Sequence, residues 1–202
     1  MTVCFCVIFL DRVSRTTMSG NQKAGGHMVN AITPQISQPD DLAAIEALYR
    51  DAFPDEDLVP LVRALLAGRD DVLSLVSTDG ADVTGHGVFT HCRVVGTEDK
   101  VALLGPLAVA PTHQHQGIGG AIIRDGFQRL ARDGVGWVFV LGDPGYYGRF
   151  GFTPERHVAP PYPLPEEWRE AWQSVSLGAT GTPNPGTLSV PAPWRQPALW
   201  GP

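Results

Sequence analysis

Residues 100–143 constrain this chain more than any other stretch. They read KVALLGPLAVAP, then THQHQGIGG, then AIIRDGFQRLARDG, then VGWVFVLGD. The first piece is an apolar strand and the second a glycine-bearing turn. The third sets Ile123, Phe127 and Leu130 along one helical stripe and ends at Gly134. The fourth is a continuous apolar run, the pattern of a strand buried on both faces. Strand, turn, helix and strand in that order imply a parallel crossover with the helix packed on the sheet. A mixed α/β fold follows. Gly105-Pro106 sits in the middle of the first strand. Proline has no N–H to give a ladder, so this position predicts a bulge or an unpaired edge.

The flanking sequence extends the plan. AITPQIS reads as a short first strand. QPDDLAAIEALYRDAF follows as a helix, with Asp40 or Asp41 as cap and Leu42, Ile45, Leu48 and Tyr49 on one face. PDEDLVPLVRALLAG reads as a second helix ending at Gly68, with Pro60 in its first turn or at a kink. DVLSLVST and VTGHGVFTHCRVV read as two strands joined at DGAD. From Pro154 onward the composition changes: eleven of the 18 prolines lie there, with Trp168, Trp172, Trp194 and Trp200. A short helix is expected near PEEWREAWQ, then extended chain whose tryptophans pack on the core. Three regions result. Residues 1–29 read as a flexible or non-native extension, with Met18 or Met28 as alternative starts. Residues 30–157 form the core, and residues 158–202 a Pro/Trp-rich segment packing on it.

Composition removes several classes. With 202 residues and 43% hydrophobic content the chain suits one globular core. Its net charge is −6 and no dense Lys/Arg cluster appears, so a nucleic-acid partner is not expected. Val3–Leu10 is far too short to span a bilayer, so no membrane partner is expected either. Three cysteines without metal-type spacing argue against a disulfide framework or a zinc site, and the cytoplasm is the expected compartment.

The glycine turn admits several ligands. His113 and His115 form an HxH pair without a third ligand at any obvious spacing, so no metal is expected. Gly117, Gly119 and Gly120 do not make G-x-G-x-x-G, and no Gly-Lys-Ser/Thr follows, so dinucleotide and Walker readings fail. A plain tight turn and a phosphate cradle remain. Glycines at a helix start expose N–H groups where the helix dipole favours an anion. A strand edge opened at Gly105-Pro106 would offer backbone groups to an amide-bearing arm, and a pyrophosphate on such an arm is coenzyme A.

LAVAPTHQHQGIGGAII resembles the acyl-CoA signature of the GNAT N-acetyltransferase superfamily, with Gln114-His115-Gln116-Gly117-Ile118-Gly119 in the place of its Gln/Arg-x-x-Gly-x-Gly/Ala. Tyr147-Gly148-Arg149-Phe150-Gly151-Phe152 resembles the family's Tyr-x-x-x-Gly-Phe. LGPLAVAP and LGDPGYYGRFGF look most like a branch of bacterial predicted acetyltransferases. The resemblance covers roughly residues 31–154. It implies a mixed central sheet of about six to seven strands, a bulged and splayed signature strand and about four helices. It implies acetyl-CoA as co-substrate and direct acetyl transfer to a primary amine, on a small molecule or a protein, and it admits a homodimer. By the same match the N–H groups of Gln114, His115, Gln116, Gly117, Ile118, Gly119 and Gly120 hold the pyrophosphate. The strand end Leu107, Ala108 and Val109 carries the pantetheine arm, and the Val109 N–H polarises the thioester carbonyl. Tyr147 is the implied general acid.

The sequence departs from the family at one point. Many members place a glutamate on the signature strand, and LLGPLAV has no carboxylate. Glu98, Asp143, His91, His113 or a water relay are the candidates for the base. That gap supports an alternative, an acyl-CoA-binding sensing or interaction module with little catalysis; Tyr147 opposes it. A protein-interaction role for the Pro/Trp-rich segment ranks last, because no PxxP array flanked by basic residues is present.

Overall fold

A computed structural model describes residues 32–68 and 71–201. The extension expected over residues 1–29 lies outside them. Strands β1 (Gln35–Ile36), β2 (Val72–Asp79), β3 (Asp82–Val94), β4 (Lys100–Val109) and β5 (Trp137–Leu141) form the main sheet with β6 (Thr153–Pro154) and β8 (Trp172–Ser176). Their spatial order is β1-β2-β3-β4-β5-β8-β6. β4 and β5 run parallel; the other pairs on this path are antiparallel. Two strands leave the path: β7 (Val158–Ala159) pairs with β9 (Gly186–Ser189), and β9 pairs with the end of β3. The helices are α1 (Leu42–Ala52), α2 (Val59–Ala67), α3 (Ile118–Arg132) and the short α4 (Pro144–Tyr147).

Local chemistry explains most boundaries. At the start of α1 the Asp41 carboxylate reaches back to the Gln38 N–H at 2.6 Å. Pro60 lies in the first turn of α2, where a missing N–H costs nothing. At the end of α3 the Val135 N–H bonds to the Leu130 carbonyl and the Gly134 N–H to that of Ala131, with Gly134 at φ 79°. This is a Schellman closure, which needs a left-handed residue there.

The sheet is covered on both faces. One face packs Leu75, Phe89, Leu104, Leu107, Val109, Val138 and Val140 against Ile118, Ile122, Ile123 and Leu130 of α3. The other receives α1, α2 and the C-terminal segment. Helix α3 lies very close to β3, because Gly85 and Gly87 on the strand and Gly126 on the helix have no side chains to hold them apart. A Cβ on Gly85 would stand 2.5 Å from Ile118 Cγ2, and one on Gly126 would stand 2.2 Å from the Phe89 ring. Gly126→Ala is therefore expected to destabilise the fold by about 1–3 kcal/mol from overpacking. At 2.2 Å the overlap with the ring is severe, which sets the cost in the upper part of that range, above the ~1 kcal/mol that alanine gains over glycine within a helix. The urea midpoint checks it, and an unchanged or raised midpoint would sink the close-contact account.

The C-terminal segment corrects one expectation. The helix expected near PEEWREAWQ is only a 3-10 turn over Glu166–Trp168, and β8 follows. β5 has an open edge, and Trp172–Ser176 saturates it from Leu141 back to Trp137. Trp172 stacks on Phe139 at 5.5 Å, and its Nε1–H donates to the Val158 carbonyl at 2.8 Å. Tertiary pairing here overrides helical spacing. Trp194 Nε1–H donates to Thr90 Oγ1 at 2.9 Å and Trp200 Nε1–H to the Trp194 carbonyl at 3.0 Å, so both buried indoles have hydrogen-bond partners.

Beneath α1 lies a buried polar chain. Ser37 Oγ meets Ser74 Oγ at 2.6 Å, Ser74 Oγ meets His86 Nε2 at 2.9 Å, and His86 Nδ1 meets the Tyr49 hydroxyl at 3.1 Å. Burial pushes the His86 pKa down to about 3. The folded protein thus keeps His86 neutral, whereas the unfolded chain takes a proton below about pH 6.5. This contribution to stability is complete above pH 6.5 and is lost at about 1.4 kcal/mol per pH unit as pH falls toward 3. Urea unfolding across that window should show a shallower pH slope for His86→Asn than for wild type.

Candidate active site

The site begins where β4 and β5 part. Their parallel register covers Val101↔Trp137, Ala102↔Val138 and Leu103↔Phe139. β4 then runs on to Val109 with no β5 partner. The β3–β4 register slips between Gly87 and Phe89, opposite Gly105-Pro106, whose peptide is cis. This is the bulge that proline requires in mid-strand.

The backbone alternation beyond the bulge decides which groups face the opening. The Ala110 N–H donates to the Thr84 carbonyl at 2.9 Å, toward β3. Strand residues alternate their N–H and C=O groups between the two sides. Ala108 therefore also turns to β3, and Leu107 and Val109 turn their polar groups to the splayed side. The Val109 carbonyl accepts there from Gln114 Nε2 at 3.3 Å. Ala108 is the exception among the residues expected to meet the cofactor. Its backbone faces β3 and its side chain lies in the α1–α2 cluster.

The turn after β4 carries the residues expected to form the cradle. Pro111–His113 form a 3-10 turn, His115 stands at φ 61° and Gly117 at φ 88°, and α3 starts at Ile118. The first helical bond here runs from the Ala121 N–H to the Gly117 carbonyl at 2.9 Å, so the Ile118, Gly119 and Gly120 N–H groups have no intrahelical acceptor. A Cβ on Gly117 would meet nothing within 4 Å, so this residue faces open space. The Ile118 side chain is buried and pins the helix start. Gln116 Nε2 donates to the Thr112 carbonyl at 3.3 Å. With Gln114, it holds the loop through side-chain bonds to backbone carbonyls. His113 Nδ1 lies 2.9 Å from Thr112 Oγ1, and the His115 ring is exposed.

Tyr147 ends α4, directly after β5. Asp143 starts that turn, its carboxylate accepting the Gly145 N–H at 2.9 Å. The Tyr147 ring is 1% exposed and lies edge-on to Tyr146 and Phe152, in the same apolar cluster as Leu107, Val109 and Ile118. It also covers Gly142, where an added Cβ would stand 2.2 Å from the ring. Gln173 of β8 fixes that glycine by donating Nε2–H to its carbonyl at 2.9 Å.

The base candidates separate by position. Asp143 and His113 lie at the end of the sheet where β4 and β5 finish. His91 pairs with Ala102 near the start of β4, and Glu98 sits in the turn before it. From Ala102 to Val109 the strand advances seven residues, about 23 Å at ~3.3 Å each, which takes His91 and the more distant Glu98 out of reach. Among the described residues no group of three or more His, Cys, Asp or Glu is placed to hold a metal. No described helix is long and apolar enough to cross a membrane.

The stretch that holds these residues is also the one that known proteins match. The sequence model of the acetyltransferase (GNAT) domain matches residues 35–154. The chain belongs to the GNAT acetyltransferase family. Membership makes it an acyltransferase. Among curated relatives, the uncharacterized N-acetyltransferase YjhQ of Escherichia coli is 35% identical over 158 residues, covering 75% of this chain and 87% of that protein. Among solved structures, the E. coli GNAT N-acetyltransferase YhbS in complex with CoA has a TM-score of 0.72 at 26% identity, covering 85% of this chain and 97% of that one. A GNAT acetyltransferase from Brucella melitensis in complex with acetyl-CoA has a TM-score of 0.66 at 29% identity, covering 81% and 97%.

Two features of this GNAT chain escaped the motif reading. Gly85 and Gly87 set the depth at which α3 rides on β3; two glycines at period two in one strand are the legible signal. The His86–Tyr49 pair unites residues 37 positions apart, and no local pattern announces it.

Proposed function

We propose that the chain is an acetyl-CoA-dependent N-acetyltransferase that moves an acetyl group to a primary amine by direct transfer. One observation carries the reading. The outward backbone of Leu107 and Val109 and the open helix start at Gly117 lie at one end of the sheet, joined by a short turn. That set fits an amide-bearing arm ending in a pyrophosphate. Bound acetyl-CoA supplies the acyl group as an activated thioester. The N–H groups from Gln114 to Gly120 hold the pyrophosphate, and Leu107 and Val109 pair with the arm. The Val109 N–H stabilises negative charge that develops on the carbonyl oxygen. The Tyr147 hydroxyl holds its proton at the departing sulfur. By reference values, proton transfer from a phenol of pKa about 10 to a thiolate whose thiol has pKa about 8.5 is uphill, so placement against the developing charge has to do the work.

Asp55 and Asp57 are exposed between α1 and α2, and an acidic rim there draws in a cationic amine. The cytoplasm suits the reading, since a free buried thiol such as Cys92 stays reduced there. The absence of a carboxylate from β4 favours one second reading, an acyl-CoA-binding module with little catalysis. Thiol release from acetyl-CoA against a panel of primary amines separates the two. Turnover on at least one amine is expected; tight acetyl-CoA binding without turnover on any amine would favour the binding module.

A further inference from the structure

At the end of β4 remote from Gly117, a cleft of about 440 Å³ opens where the edge of β3 changes partner. β2 pairs with β3 only from Val72, opposite Thr90, and β9 joins the same edge at Ser189, opposite Arg93. His91 and Cys92 have no strand partner on that side. The cleft is lined by His91 and Arg93 of β3, Lys100 of β4 and Arg195 beyond β9, with Asp71 before β2 and Asp133 after α3.

Strand alternation gathers three of these groups on one face. Arg93 and Lys100 are direct cross-strand partners, and His91 stands diagonal to Lys100. Helix α3 covers this face at Phe89 through Gly126 but ends at Arg132, and His91, Arg93 and Lys100 are exposed. Directly opposed residues have Cβ atoms about 5 Å apart, and like charges placed so are destabilising. A third charge is fixed nearby: Arg195 Nε–H donates to the Val190 carbonyl at 2.9 Å, which anchors its guanidinium at the wall of the same cleft. Among the described residues no salt bridge joins Asp71 or Asp133 to these cations. The opposed pair sets the cleft apart from the other exposed arginines. An anion seated between Arg93 and Lys100 turns one repulsive contact into two attractive ones.

We propose that this cleft binds the phosphate group of a small phosphorylated molecule. Arg93, Lys100 and Arg195 reach it from three segments, which suits an anion whose oxygens point in three directions better than a flat carboxylate. Guanidinium groups hold phosphate bidentately, and an ammonium holds it as a point charge. The volume lies in the range of small-molecule sites, about 300–1,000 Å³. A net charge of −6 disfavours a nucleic acid as the occupant. Lys100 and Val109 bound β4, whose ten residues span about 30 Å, so a molecule held here does not reach the Val109 end. The site is separate from the acetyl-CoA site and does not depend on where the pyrophosphate lies.

Amide NMR of the full chain titrated with inorganic phosphate tests the cleft. The signals of His91, Arg93, Lys100 and Arg195 should shift saturably, with a Kd of about 1 mM or tighter. Sodium chloride at matched ionic strength should not reproduce the shifts, and sodium succinate should bind more weakly than phosphate. Arg93→Gln and Lys100→Gln, both exposed changes, should each weaken phosphate binding about tenfold, the scale of one charge-assisted hydrogen bond. Neither should change the affinity for CoA. The proposal is overturned by no saturable shift at the cleft, by equal shifts in chloride, by tighter binding of succinate, or by phosphate affinity that survives both substitutions together. A phosphate response confined to Gly117–Gly120 would place the anion at the helix start and overturn the cleft as well.

Discussion

Gly117→Val should reduce CoA affinity by at least about 100-fold, the loss expected from two charge-assisted hydrogen bonds. Gly117 stands at φ 88°, a region that β-branched residues rarely enter. It also faces open space, so no neighbouring atom of the protein rejects a new side chain. Valine then acts in one of two ways. It keeps the backbone and fills the space before the Ile118, Gly119 and Gly120 N–H groups, or it leaves the left-handed region and turns those groups away. Either way the cradle is lost. Gly80 is the control: it is also left-handed, at φ 60°, with open space around it, and lies in the β2–β3 hairpin. Gly80→Val should show a similar loss of urea stability with CoA binding intact. Wild-type CoA affinity in Gly117→Val would mean that the pyrophosphate lies elsewhere.

Tyr147→Phe should lower kcat by about 100-fold or more, the range of a lost general acid. The ring environment predicts little else. Phenylalanine keeps the edge-on contacts with Tyr146 and Phe152 and the cover over Gly142. CoA affinity should stay within a few-fold of wild type, because the cradle and the β4 edge are untouched. A fall in kcat with unchanged CoA binding is the mark of a group that acts in the transition state. Tyr146→Phe is the paired control and should leave kcat largely intact. If Tyr146→Phe lost the activity and Tyr147→Phe kept it, the roles of the two adjacent tyrosines would be exchanged.

The element order was legible in the chain because its signals are local. Gly134 announces the end of α3, Gly68 the end of α2, and the apolar runs of β4 and β5 flank a helical stripe. The bulge at Gly105-Pro106 was legible for the same reason: proline's missing N–H is a property of one residue. The segment after Pro154 was less so. Trp168 and Trp172 stand at helical spacing, yet Trp172 belongs to a strand because β5 had an edge to fill. Long-range pairing of that kind leaves no mark in a window of ten residues.

The site divides along the same line. By itself, the sequence determined the residue types: a glycine helix start, a strand without a carboxylate, and a tyrosine six residues after the end of β5. Backbone conformation and periodicity depend on near neighbours, so these could be read in order along the chain. Only the tertiary structure decided which of those residues face the opening. It turned Leu107 and Val109 outward and Ala108 inward, carried His91 and Glu98 to the far end of the sheet, and brought Arg195 to the cleft lined by Arg93 and Lys100. Register and splay set those directions, and both are fixed by contacts between strands and helices far apart in the chain.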